Sequence, residues 1–360
     1  MPAVLPSADD QLQFLQKIQR LLEAGRFTST YKFALLIALT NVAVERGNDT
    51  NTALTIELAD VAREFLALYW PQAKPYLHLG AQLSQNNNKL KPATILTLLR
   101  REVAVGKSDY ARLRRNTGEP DRLVTAAREL IVRMPLPRLQ HIEALKSNSS
   151  SADQFLYKCP ESADEVRTLR TITLLPGVGA CLRALRGVII ALVQARWAQW
   201  VRENNPALGR DRNLEAFMFG QDRVALAQLA PKLYELQDGR CFYTQKRLDS
   251  IKAAEVDHFI AWARYPSNDP LNLVLASRAA NNDKRDHIPS TRHLSVWLAR
   301  NMRHAQDLIN SDSGEGLESS ASVAIAHWAY SAAAAVGSRA WDAPKQFVEI
   351  GDEWVRLLTG

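Results

Sequence analysis

The stretch EVDHFIAWARYPSNDPLNLVLASRAANNDKRDHIP, Glu255 to Pro289, threads Asp257, His258, Asn272, Asn281, Asn282, Asp283, Lys284, Asp286 and His287 between short apolar runs. Val256-Asp257-His258 reads as a strand and Tyr265 to Pro270 as a loop. Asn272 to Ala276 reads as a second strand, and Arg278 to Arg285 has the composition of a short helix. Strand, loop, strand and helix in so few residues bring Asp257, His258 and Asn281 to one pocket, with Asn272 behind it. Successive residues on a flat strand point to opposite faces, so Asp257 and His258 share a site only at a twisted strand end.

Upstream, DGRCFYTQKRL opens with an Asp238-Gly239 turn, and Cys241 to Thr244 begins a small β-element. Before it the chain reads as helix after helix. Tyr31 to Arg46 follows the N-cap candidates Thr28, Ser29 and Thr30 and ends at Gly47. Leu58 to Tyr69 repeats a one-sided apolar spacing until Pro71, and Ala93 to Val105, Asp121 to Arg133 and Gly179 to Asn204 follow the same logic. SNSSSADQ, Ser147 to Gln154, has linker composition. Helices also follow the quoted stretch, over Ser295 to Asn310 and Ala321 to Val336.

The chain has 360 residues, 46% of them hydrophobic and 8% aromatic, which is a globular composition and excludes disorder as the default. Its net charge of +7 favours polyanionic partners without requiring one. The apolar run Phe33 to Val44 is shorter than the roughly 20 residues a bilayer demands and has no signal-peptide flank, so no membrane association and a cytoplasmic location are expected. Cys159, Cys181 and Cys241 are odd in number and far apart, which rules out a disulfide framework and a four-thiolate zinc site.

Two further features have open readings. LLPGVGACLRAL, Leu174 to Leu185, resembles a helix-hairpin-helix turn that offers glycine amides to a phosphate, while a Pro-Gly turn entering a buried helix explains the same letters. Lys89 to Arg115 is rich in Lys and Arg, Arg112, Arg114 and Arg115 among them, and is either a nucleic-acid contact or a solvated face.

The motifs of the quoted stretch resemble the HNH nuclease family, whose fold is the ββα-metal finger. That family places Asp-His on the first strand, Asn-Leu at the second, and a final His or Asn on the helix three residues before Lys. Here the slots hold Asp257-His258, Asn272-Leu273 and Asn281 to Lys284, a variant with asparagine in the last two positions. RCFYTQKRL resembles the family's entry segment, and the likeness covers Gly239 to Pro289, a minority of the chain. The resemblance implies hydrolysis of DNA that leaves 5′-phosphate and 3′-hydroxyl ends, with Mg²⁺ or Mn²⁺ as cofactor. His258 is the implied general base, Asp257 and Asn281 the metal ligands, and Asn272 the residue that pins the loop and orients His258. Lys284, with Arg285, Arg240, Lys246 and Arg247, would meet nucleic acid.

Elementary chemistry supports these assignments. Phosphodiester hydrolysis needs an activated water, a base titrating near neutrality and a cation to absorb charge. An imidazole titrates near about 6.5, and carboxylate and amide oxygens are hard donors suited to Mg²⁺ or Mn²⁺. Many HNH domains also carry two CxxC pairs around a structural zinc, but the matching positions are Cys241, Thr244, Ser277 and Ala280, so no structural zinc is expected. Packing of Phe242, Tyr243, Val256, Phe259, Leu273 and Leu275 must hold the finger together instead.

The expected protein is mainly α, with a small α+β ββα-metal (HNH) module in its C-terminal third. The expected domains are a helical one over 1–146, a helical lead-in over 155–235, the nuclease module over 236–292 and C-terminal helices over 293–360. Its setting resembles bacterial restriction or antiphage-defence nucleases, with DNA as partner and either a defence-system partner protein or a homodimer. One finger cuts one strand, so a double-strand cut needs two protomers or two events. The rival readings are a DNA-binding or assembly protein whose finger no longer cuts, and a nuclease for structured RNA.

Overall fold

The computed structural model describes residues 5–25, 27–76, 79–87, 93–104, 122–140, 154–159, 168–220, 226–309 and 321–359. They fall into two compact units, one drawn from residues up to Gly220 and the other from Gln221–Gly360. Both are dominated by helices; among the described residues the first unit holds one two-stranded sheet and the second holds two.

In the first unit α1 (Ala8–Ala24) starts in a capping box: the Ser7 hydroxyl accepts from the Asp10 amide at 3.1 Å and the Asp10 carboxylate accepts from the Ser7 amide at 3.0 Å. The second helix, α2 (Tyr31–Arg46), is buried from Tyr31 through Glu45. Its apolar run is therefore the centre of a unit, and α3 (Leu58–Tyr69), α6 (Val178–Ala184) and α7 (Arg186–Asn204) pack around it. The helices α4 (Thr94–Ala104), α5 (Arg122–Arg133) and α8 (Leu214–Phe219) complete the described set.

A short antiparallel ladder pairs β1 (Leu54–Glu57) with β2 (Thr171–Leu174). It ties together chain on either side of Ser147 to Gln154, so the 1–146 stretch and the first part of the 155–235 stretch build one unit instead of two domains. The single helix expected over Gly179 to Asn204 is broken at Leu185, where α6 and α7 meet at 79°. The bend carries two arginines onto α2. Arg183 bonds the Val44 carbonyl at 2.7 Å and Asp49 at 2.7 Å, while Arg186 reaches Asn41 at 3.1 Å. Both arginines are buried, as is Gly179, so the Pro-Gly turn is the entry to a buried helix, the second of the two readings of these letters. Among the described residues no single helix is long and apolar enough to cross a membrane.

The second unit holds α9 (Ala230–Leu236), β3 (Ala254–His258), β4 (Leu273–Ser277), α10 (Arg278–Lys284), α11 (Thr291–Ile309), α12 (Ala321–Ala335), β5 (Arg339–Ala343), β6 (Gln346–Glu349) and α13 (Glu353–Thr359). β3 and β4 pair antiparallel, with Asp257 opposite Val274 and His258 opposite Leu273. Phe242, Tyr243, Phe259, Leu273 and Leu275 are buried as expected, whereas Val256 is only half-buried. Fully burying such side chains contributes roughly 1.5–3 kcal/mol each, so this small finger has a dry core of its own.

The C-terminal segment contains a hairpin, β5–β6, where only helices were expected. It docks on the end of the finger: the Trp341 amide donates to the Ile288 carbonyl at 2.7 Å and the Ser290 amide to the Trp341 carbonyl at 2.8 Å. Trp341 also sends its indole N–H to the Asp283 carboxylate at 2.7 Å. Residues 236–292 and 293–360 thus belong to one compact unit.

Candidate active site

The site is built where α10 crosses one face of β3. Glu255 and Asp257 are two apart on the strand and share a face, and Asn281 and Lys284 are three apart on the helix and share another. Two rungs join them. Asn281 donates its amide to Glu255 Oε2 at 2.8 Å, and the Lys284 ammonium lies 3.0 Å from Asp257 Oδ2. Ser277 caps the helix by accepting from the Ala280 amide at 3.3 Å, and Arg285 ends it in the left-handed region at φ 51°.

Asp257 is buried, and its Oδ2 also accepts from the Tyr243 hydroxyl at 2.7 Å. Lys284 is fully buried. It donates to the His258 carbonyl at 3.0 Å and stands over the Tyr243 ring, 5.7 Å from its centroid. The expected phosphate contact of Lys284 is therefore wrong: an ammonium without solvent access cannot reach a backbone phosphate, and its charge is spent on Asp257. A buried carboxylate needs such a partner, because an isolated charge in an apolar interior is far costlier than a paired one.

His258 ends β3 and is buried. Its Nε2 lies 3.0 Å from Asn268 Oδ1, and its ring packs 5.4 Å from that of Trp262. An amide oxygen has no proton to give, so in this contact Nε2 is the donor. Burial holds the imidazole below its ordinary range, against the upward pull of Asn268 and Asp257 and with the help of the Lys284 charge. His258 is neutral at neutral pH.

Asn272 is bonded within the loop. It accepts from the Ile260 amide at 2.8 Å and donates to the Ile260 carbonyl at 3.0 Å. Its side chain thus fastens the segment after His258, while the bond to the imidazole comes from Asn268. The same loop is held from α11, where the Leu271 carbonyl receives Trp297 Nε1 at 2.7 Å, Arg300 Nη2 at 2.8 Å and Asn301 Nδ2 at 3.0 Å. Arg300 also donates to the Leu273 carbonyl, and its burial lowers the guanidinium to about 9.

The four positions that match zinc ligands elsewhere do come together. Cys241 Sγ accepts from the Ser277 amide at 3.3 Å and interacts with Thr244, and the Ser277 hydroxyl meets the Ala280 amide. Burial pushes the Cys241 thiol up, but the hydrogen bonds from Thr244 and Ser277 outweigh it and the thiol lies below its ordinary value. Hydrogen bonds and the N-cap join the strands and helix where a zinc would.

Arg240, Lys246, Arg247 and Arg285 are exposed. Arg240 donates to the Gln245 carbonyl at 3.1 Å, and an isolated bridge pairs it with Arg247. His287 is partly exposed and rests against Phe347, 4.8 Å between rings. Arg112, Arg114 and Arg115 lie outside the described residues. Four residues of the site were missed from sequence: Glu255, Tyr243 as a partner of Asp257, Asn268 and Arg300. The period of two on β3 could have found Glu255. Nothing local marks Asn268 or Arg300.

Two family models match the chain. The longer covers residues 11–216, more than half of the sequence, and the chain belongs to that family, described as Domain of unknown function (DUF8808). The second covers residues 241–290 and is described as HNH endonuclease. The finger is thus an HNH endonuclease domain, appended to a helical unit of another family. No curated protein and no solved structure matched.

An HNH endonuclease domain implies a divalent cation. Among the described residues no three His, Cys, Asp or Glu side chains are grouped to hold one. The donors at hand are Asp257 and Asn281, hard oxygens on neighbouring rungs. Mg²⁺ commonly takes one or two protein ligands and completes its octahedron with waters and substrate phosphates, so this donor set fits a cation that arrives with its substrate.

Proposed function

We propose that this protein is a metal-dependent DNA endonuclease in which the HNH module hydrolyses a phosphodiester with His258 as general base. The reading is carried by one observation: a buried imidazole held at Nε2 by Asn268, at the end of the strand whose next residue back is the carboxylate Asp257. A base that enters the reaction unprotonated can take the proton of the attacking water. Asp257 and Asn281 would hold the Mg²⁺ or Mn²⁺, which when bound supplies positive charge to the scissile phosphate. Asn272 and the α11 residues keep the loop closed behind the imidazole, so the base does not swing away. Arg240, Lys246, Arg247 and Arg285 would contact the DNA backbone, and a double-strand cut would need two copies of the chain or two events.

The biological setting best suited to a nuclease module on a separate helical unit is restriction or antiphage defence, with the helical unit engaging a partner protein. A second reading is a finger that binds DNA without cutting. It draws on Asp257 Oδ2, which is already committed to Tyr243 and Lys284. Supercoiled plasmid incubated with Mg²⁺ separates the two. The wild type should nick it, and His258→Ala, folded, should nick about 10²–10⁴-fold more slowly. Equal nicking by wild type and variant would remove His258 from the mechanism, and no nicking by wild type would favour the binding module.

A further inference from the structure

We infer that Glu255 is a positioning residue that turns the Asn281 amide so that its oxygen, and not its nitrogen, faces the divalent cation. This rests on the metal role of Asn281 proposed above. An asparagine amide has two ends of nearly equal size, and only the carbonyl oxygen can ligate a cation. A carboxylate can only accept hydrogen bonds, so Glu255 Oε2, 2.8 Å from Asn281 Nδ2, captures the NH₂ end and leaves Oδ1 for the metal.

The other carboxylate oxygen is also committed. Arg278 Nε, one turn earlier on α10, lies 3.0 Å from Glu255 Oε1. Each Glu255 oxygen thus has one partner, which makes Glu255 the middle of a chain from Arg278 to Asn281. Such outer partners of a metal ligand fix its orientation, and their loss typically weakens metal binding by about 10–100-fold. Arg278 is 66% exposed and Glu255 34%, and ion pairs so exposed add little to stability. Removing Glu255 should therefore disturb Asn281 while sparing the fold.

The test measures Mn²⁺ binding by the EPR signal of the free ion, on the full chain in a His258→Ala background with a DNA duplex present so that the DNA stays intact. Glu255→Ala should weaken Mn²⁺ binding by about tenfold or more. Asn281→Ala should weaken it at least as much, and the double variant should be no worse than Asn281→Ala alone. Glu255→Gln keeps an acceptor for Asn281 Nδ2 and should recover most of the affinity, which a loss of mere folding or charge would not allow.

Unchanged affinity in folded Glu255→Ala overturns the inference, as do losses from Glu255→Ala and Asn281→Ala that multiply in the double variant, because Glu255 would then act on the metal by itself. Should Glu255→Ala fail to fold, Arg278→Met and Glu255→Gln answer the same question: wild-type affinity in Arg278→Met, or a tenfold loss in Glu255→Gln, overturns it. If the His258→Ala protein itself binds no Mn²⁺, the metal role of Asp257 and Asn281 fails, a result distinct from any of these.

Discussion

In the first unit Arg183 and Arg186 turn inward from α6 and α7 to clamp α2, and their partners are the Val44 carbonyl, Asp49 and Asn41. In the second, Lys284 turns inward from α10 to Asp257, and the same strand carries His258 at its end. Both units bury a cation against a polar partner. The difference lies in what stands next to the pair. Around Arg183 the polar groups hold helices together, and Asp49 remains 34% exposed, able to turn to water. Around Lys284 they are the Asp257 carboxylate and the Tyr243 hydroxyl, with the His258 imidazole next along the strand and the Asn281 amide one turn back on the helix. Buried charge by itself does not mark a site; what sets the second pair apart is an imidazole on the adjacent residue and an amide on the facing helix.

Removing divalent cations with a strong chelator is the sharpest way to break this contrast. Nicking should vanish, yet the melting temperature should stay within about 1 °C, because Lys284 already balances Asp257 and no cage of protein ligands collapses. A large drop in melting temperature, or zinc at one per chain in metal analysis, would mean that the Cys241 region holds a structural ion after all.

The next effect in size is on stability. Lys284→Met strands the Asp257 carboxylate in the interior and should cost about 3–5 kcal/mol, read from the denaturant midpoint of the second unit. Arg183→Met orphans the Val44 carbonyl but leaves Asp49 its water, and should cost about 1–3 kcal/mol. If the two substitutions cost the same, the second unit is not the more tightly charged of the two.

The smallest effect is a pH slope confined to the second unit. His293 lies against Trp341 and Tyr243 and donates to the Asp342 carbonyl at 2.8 Å. Burial lowers it below its ordinary range, more than the Asp342 carbonyl raises it. The unfolded chain then binds the proton more readily than the folded one, so stability is complete above about pH 6.5 and is lost as pH falls below it. The slope per histidine is at most about 1.4 kcal/mol per pH unit, and His293→Gln should flatten denaturation midpoints measured from pH 7 to pH 5. An unchanged slope would assign the acid sensitivity elsewhere.

Much of the architecture was legible because it is written in local periodicity. Tyr31–Arg46 and Leu58–Tyr69 form helices at the expected bounds, and the paired strands, Asn272 loop and short helix of the finger fall where their turn residues put them. The break at Leu185 was not legible, since no proline marks it and the contacts that Arg183 and Arg186 make there lie on α2, more than a hundred positions away. Nor was the β5–β6 hairpin, whose Trp341 is ordered by Asp283 and Ile288 more than fifty positions away.

By itself the sequence determined a mainly helical chain with one HNH finger in its C-terminal part, because residue type and spacing over a few turns set those things. Tertiary structure alone decided that Lys284 is an internal counter-ion and not a DNA contact, that Asn268 holds the imidazole, and that α11 and a distant hairpin brace the finger. The reason is physical: hydrogen-bond and charge partners are selected by which surfaces come within about 3 Å, and that depends on packing between elements far apart in the chain.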